Sequence, residues 1–260
     1  MISACAFTTL LEYPGSPWHA AIPNGDLRRA LIGAAMGLTA IALIYSPFGR
    51  RSGAHMNPSV TLAFLRLGRI APRDAAAYIA AQFAGGTLGV LASAALFGPW
   101  LASPEVHYVV TVPGPLGTGA AFATEFGMSF GLMALVLNVN ASPRLMRWTG
   151  VFAGVTVALY IALLAPLSGM SINPARTFAS AVPAHTWSAW WLYVLAPPLG
   201  MLAAAEGFRR THAAPEAGCA KFHHAPGRSC IFCEHQHGAS PVSAAGAVSR
   251  PAFIPTSRFD

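Results

Sequence analysis

Charge is what this sequence has least of. Asp, Glu, Lys and Arg make up only 10% of its 260 residues, where a soluble globular protein carries about 25%. So little charge cannot cover a water-facing surface, which excludes an ordinary soluble domain and suits a surface that faces lipid. Lysine is all but absent: Lys221 is the only one, so the net charge of +7 is almost wholly arginine. The arginines stand singly or in pairs between apolar segments and form no groove-sized patch. That argues against a nucleic-acid partner and matches the pattern of topology signals. Four cysteines, Cys5 in an apolar stretch and Cys219, Cys230 and Cys233 near the end, are too few and too clustered for a secreted disulfide framework. Residues 1–13 lack a basic start, so they are not expected to be a cleavable signal peptide.

What is abundant is apolar sequence, 54% of the chain. A helix needs about 20 apolar residues to cross a bilayer. Five segments approach or meet that length: 30–45, 75–97, 119–139, 149–166 and 186–205. Residues 1–13 are apolar except for Glu12 and are followed by Pro14. A helix of that size rises only about 20 Å, so the stretch reads as the second half of a span. Two shorter apolar stretches, 57–67 and 173–182, each begin with Asn-Pro. Asn is a good N-cap and Pro is favoured at the first helical position, so each pair marks a helix start. Two such helices, about 15 Å each, would cross one bilayer if placed end to end.

The two stretches match each other. Gly53-Ala54-His55-Met56-Asn57-Pro58-Ser59 stands beside Gly169-Met170-Ser171-Ile172-Asn173-Pro174-Ala175, and Tyr78 in the next span answers to Tyr193 at an offset that agrees within one residue. The chain is therefore duplicated, with repeats over about 1–102 and 117–208. Three spans per repeat is an odd number, so the halves must insert with opposite topology. Short helices in corresponding positions of two such halves point to a transport site. Arg50, Arg51, Arg66, Arg69, Arg73, Arg144, Arg147, Arg209 and Arg210 would share one side, and Arg28, Arg29 and Arg176 the other. That bias predicts a cytoplasmic tail.

Duplicated Asn-Pro boxes, each with a Gly four residues upstream, and Arg176 three residues after Asn173, resemble the aquaporin or major intrinsic protein family over residues 1–208. Gln82 in the third span and Glu125 in the fourth also fit its pattern. The resemblance implies an all-α, six-span membrane bundle of two inverted repeats, whose two half-helices meet at mid-membrane. Asn57 and Asn173 would turn amide donors toward a pore, with Pro58 and Pro174 starting the half-helices behind them. Carbonyls of Gly53, Ala54, His55, Gly169, Met170 and Ser171 would line one wall. Each helix N-terminus carries about half a positive charge; two facing one point repel cations and hydronium. A water file broken by two fixed donors relays protons poorly.

By the same resemblance Arg176 sits at an outer constriction, against the plainer reading of an interfacial, snorkelling arginine. The other constriction positions are Met36 (Gly37 by ungapped counting from Asn57), Ile161 and Met170. They depart from the family's water-selective pattern, an aromatic on the second span and a histidine on the fifth. Thr177 stands where glycerol-conducting members usually have Asp, so the filter is mixed. Ser59 replaces the usual Ala of the first box. Glu125 has two readings, a proton-relay carboxylate or, as the resemblance implies, a group ordering a pore-lining loop. The bland reading of His55 is a packed vestibule histidine. The family also implies a homotetramer with one pore per subunit, in the cell (inner) membrane. Its first span carries a glutamate matching Glu125, which has no counterpart here before Glu12; the natural start is therefore expected upstream of Met1.

The tail, 209–260, is expected to be cytoplasmic and holds Cys219, His223, His224, then Cys230-Ile-Phe-Cys233. These are the ligand types of a zinc site, although the spacing from Cys219 is short for a finger. The alternative is a disordered tail with reduced thiols, and residues after Gly238 read as unstructured either way. The functional expectation is a passive channel for water or small neutral solutes such as glycerol, urea or ammonia, not an enzyme and without a cofactor unless the tail holds a metal ion. An ion-coupled secondary transporter is the rival, for which only Glu125 and Arg176 supply intramembrane charge.

Overall fold

The computed structural model describes residues 1–212, 219–223 and 232. Every regular element among them is helical: α1 (Ile2–Glu12), α2 (Pro17–Ala21), α3 (Gly25–Tyr45), α4 (Pro47–Ser52), α5 (Pro58–Arg66), α6 (Pro72–Phe97), α7 (Pro99–Ala102), α8 (Gly117–Ala141), α9 (Thr149–Ser168), α10 (Pro174–Ala184) and α11 (Trp190–Thr211). Helices α3, α6, α8, α9 and α11 are long and apolar enough to cross a membrane. The protein is thus a multi-pass membrane protein.

Local chemistry sets where the helices begin and end. The Asn24 side chain accepts from Leu27 N at 2.9 Å and starts α3, earlier than the apolar pattern alone implied, because the first turn is polar. Helix α9 stops at Gly169, whose φ of +77° breaks the helix while its N–H still bonds Ala165. The last span begins at Trp190, four residues later than expected. His185 and Ala189 adopt left-handed φ values there, so the chain turns before it can wind. It runs on past the apolar stretch to Thr211, since Glu206 bridges to Arg209 and Arg210 one turn below it and to Arg66 of α5.

The two halves are built alike. Each half-helix packs on the long third span of the other half, α5 on α11 and α10 on α6, while α3 and α9 pack against each other between them. Tyr78 Oη donates to the Ser52 carbonyl at 2.8 Å, and Tyr193 Oη donates to the Ser168 carbonyl at 2.6 Å. These residues correspond in the two repeats, so the same bond anchors the loop before each half-helix. Helix α1 joins the bundle against α3 and α6, and Ser3 and Thr39 share a hydrogen bond at 2.7 Å.

Close backbone approach replaces hydrophobic driving force where helices meet inside lipid, and small residues permit it. A Cβ at Gly37 would lie 2.5 Å from the Gly154 carbonyl oxygen, and one at Gly154 would lie 2.6 Å from the Gly37 carbonyl oxygen. Neither backbone can yield without separating α3 from α9. Gly154→Leu is expected to abolish the folded bundle, since overpacking costs about 1–3 kcal/mol or more and here a whole branched side chain would meet backbone. Fluorescence-detected size exclusion in mild detergent reads this as loss of the monodisperse peak.

Candidate functional site

Helices α5 and α10 point their N-termini at each other. Asn57 caps α5 by accepting from Ser59 N at 2.9 Å, and Asn173 caps α10 by accepting from Ala175 N at 3.1 Å and Arg176 N at 3.3 Å. Each cap also reaches across to the other half. Asn57 Nδ2 donates to the Ile172 carbonyl at 2.7 Å, and Asn173 Nδ2 donates to the Met56 carbonyl at 2.9 Å. A primary amide has two N–H groups, so each asparagine uses one to clasp the opposite loop and keeps one. The amide donors expected to face a pore are therefore shared between clasp and cavity.

A cavity of about 400 Å³ runs past this junction. Its wall includes Asn57, Asn173 and Arg176, together with the predicted constriction residues Met36, Ile161 and Met170. Ala54, Gly169 and Ser171 line it too. Gly53 and His55, predicted on the same wall, stand outside it. The Gly53 carbonyl accepts from Phe222 N at 3.3 Å, and the His55 carbonyl accepts from Gln82 Nε2 at 2.8 Å. Both carbonyls are committed to neighbouring chain instead. The His55 ring is packed, 5% exposed and stacked on Phe64 at 5.1 Å.

Two polar side chains, one half-buried and one fully buried, hold the loops that carry this geometry. Gln82 Nε2 reaches Thr61 Oγ1 at 3.0 Å as well as the His55 carbonyl, tying the first loop to α6. Glu125 is fully buried in α8. Its Oε1 accepts from Ser168 Oγ at 2.7 Å and Ser171 N at 2.8 Å, and its Oε2 accepts from Ile172 N at 2.6 Å. All three bonds order the loop leading into α10, and Glu125 is not on the cavity wall.

Arg176 sits in the first turn of α10. Its Nη1 donates to the Val109 carbonyl at 2.6 Å, so the guanidinium is held against the segment that links the repeats. Sequence reasoning missed Val109, because that segment has neither helical nor strand period; its one signal is a backbone oddity, positive φ at His107, Tyr108 and Val109. It also passed over Arg29 as a site residue. Arg29 lines the same cavity while its Nε donates to the Ala162 carbonyl at 3.0 Å. Thr111 and Thr177, bonded at 2.8 Å, pin the linking segment to α10 beside Arg176.

The metal-ligand set proposed for the tail does not assemble within the described residues, among which no group of three His, Cys, Asp or Glu could hold an ion. Cys219 and His223 are described; Cys230 and Cys233 lie outside the described residues, as does the stretch after Gly238.

A helical bundle with two re-entrant half-helices meeting cap to cap inside an inverted repeat defines the aquaporin-like membrane fold. The chain belongs to the major intrinsic protein family, whose model matches residues 4–207. It is 36% identical to aquaporin NIP3-1 of Zea mays over 69% of this chain and 58% of that protein. It is 39% identical to the probable aquaporin AqpM of Archaeoglobus fulgidus over 67% of this chain and 73% of that protein. It thus spans less than two thirds of the length of the plant relative. The aquaglyceroporin of Plasmodium falciparum superposes with a TM-score of 0.62 at 14% identity, covering 80% of this chain and 89% of that one, a likeness of fold.

Proposed function

We propose that this protein is a passive membrane channel for water and small uncharged solutes that holds back ions and protons, with no catalytic step. The observation that carries the reading is the junction itself. Two helix N-termini converge on a cavity with a spare amide donor each, and Arg176 adds a full positive charge on the same wall. Positive ends and a guanidinium raise the energy of any cation entering, while the N–H groups donate to the oxygen of a neutral solute. Met36, Ile161, Met170 and Arg176 act as the narrow selecting ring, and Ala54, Gly169 and Ser171 as its backbone lining. The ion-coupled alternative needs a carboxylate that is free to load and unload, and Glu125 is bound to three donors outside the cavity.

A second reading, a facilitator for neutral solutes such as glycerol, urea or ammonia in place of a strict water channel, rests on three of the four selecting residues being apolar. Stopped-flow light scattering of proteoliposomes tests both. Channel flux rises linearly with solute gradient and ignores imposed ion gradients; saturation or ion dependence would overturn the reading. Ile161→His, which adds a polar ring to the cavity wall that also carries the guanidinium, is expected to lower glycerol relative to water permeability by about tenfold or more, within the range that one pocket group discriminates. The family likeness adds a homotetramer in the cell membrane to the reading, and the arginine bias of the face where α11 ends puts that end in the cytoplasm.

A further inference from the structure

The face where α11 ends carries a feature that conduction does not require. Three consecutive tail residues are bonded by their backbone to the bundle: His55 Nε2 donates to the Ala220 carbonyl at 2.8 Å, Asn140 Nδ2 of α8 donates to the Lys221 carbonyl at 3.3 Å, and Phe222 N donates to the Gly53 carbonyl at 3.3 Å. A carbonyl can only accept, so this contact also fixes the His55 proton on Nε2. The side chains are engaged as well. Ala220 is fully buried, Phe222 is 7% exposed and Phe232 is 1% exposed.

These rings seat in an aromatic cradle. Phe232 stacks on His55 at 5.5 Å and lies 6.1 Å from Tyr78, while Phe222 meets the edge of Phe64 at 6.4 Å. His223 meets Tyr45 edge-on at 5.1 Å. The cradle floor is shaped for them: a Cβ on Gly53 would lie 2.8 Å from Phe232 Cε2 and 3.3 Å from Lys221 Cγ. Phe222 also lines the cavity that holds Asn57 and Arg176. The tail segment therefore sits over the inner end of the conduit, not merely beside it.

We propose that residues 219–223 with Phe232 form a built-in stopper for the mouth on the α11 side, and that the conformation described here is the closed one. The proposal rests on the channel reading above. Opening requires the segment to leave the cradle, which exposes two phenylalanine rings and frees the Gly53 carbonyl and the His55 ring to water. Burial of the rings holds the stopper in, and the cost of ordering the segment limits how tightly. The seat is made of the loop before α5 and of residues on α3, α5, α6 and α8, so release changes the mouth on that side.

The test compares the full-length protein with a full-length Phe222→Glu/Phe232→Glu variant in proteoliposomes of matched protein content. A carboxylate cannot remain in the aromatic cradle without a partner, so the segment is expelled, and water permeability per protein is expected to rise about tenfold as the population shifts to open. Equal permeability of the two, both well above protein-free vesicles, would overturn the stopper and leave the channel standing. Neither exceeding protein-free vesicles would overturn both. A second measurement avoids the charge: a photoreactive phenylalanine analogue at position 222, irradiated in the membrane, should cross-link to residues of the cradle and lower permeability in proportion to the cross-linked fraction. Cross-linking that leaves flux unchanged would also overturn the stopper.

Discussion

Arg176→Val is expected to let cations and protons leak at about a hundred times the wild-type rate. A unit charge about 5 Å from the path of a second contributes roughly 3 kcal/mol at an effective dielectric of about 20, and each 1.4 kcal/mol is a factor of ten. Arg176 lines the cavity together with both asparagines, so its charge adds to the two half-helix ends instead of standing alone. Valine removes the charge and also the donor to Val109, which loosens the linking segment and widens the passage. Collapse of a pH gradient, followed with a dye trapped in the vesicles, reads the leak directly. An unchanged leak would mean that the helix ends supply the whole barrier. Arg29, on the same wall, is the reason the expected factor is not larger.

Glu125→Gln is expected to destabilise the bundle by about 3 kcal/mol or more and to cost most of the flux, although the two side chains have nearly the same shape. The carboxylate receives three donors on two oxygens, and an ionised carboxylate is acceptor-only, which suits such a site. Glutamine turns one acceptor into an NH2 aimed at a backbone N–H or at the Ser168 hydroxyl. A buried donor left without a partner costs about 1–3 kcal/mol, and here one backbone N–H is stranded in either orientation of the amide while the remaining bonds lose their charge. The loop so released is the one that sets Asn173 and Arg176. Thermal unfolding in detergent by tryptophan fluorescence gives the stability change; stopped-flow scattering gives the flux. A variant as stable as wild type would show that the loop is held by something other than this acceptor.

Much of the architecture was readable from pattern. Asn57 and Asn173 announced two helix starts through their own chemistry, the duplication predicted opposite topology for the halves, and the family resemblance implied that these starts would face each other. Span lengths came from apolar runs, and the misplacements fell where polar groups decide the ends: the Asn24 cap, the left-handed turn at His185 and Ala189, the arginines around Glu206. The cavity wall was legible where the family's filter positions could be carried onto spans of this sequence, as with Met36 and Ile161. It was not legible at Val109, whose carbonyl matters and whose side chain does not, since a backbone acceptor leaves no mark in the residue type. Gly53 and His55 were assigned to the wall by the family resemblance together with Gly169 and Ser171, and only the second pair lines it. Repeat symmetry could not reveal that the tail, which only the second repeat is followed by, bonds to the first loop.

The crossed clasp has a consequence for biogenesis. Asn57 finds its acceptor at Ile172 and Asn173 finds its own at Met56, so neither half completes its contacts while the other is still on the ribosome. In a nascent chain that has delivered only the first repeat, the α5 cap holds an unclaimed amide and the Met56 carbonyl an unclaimed lone pair, deep in an apolar medium that penalises both. That short helix has reason to wait near the bilayer surface and enter only when its twin arrives. Maturation of the two halves is then a single event, set by the last loop to be synthesised.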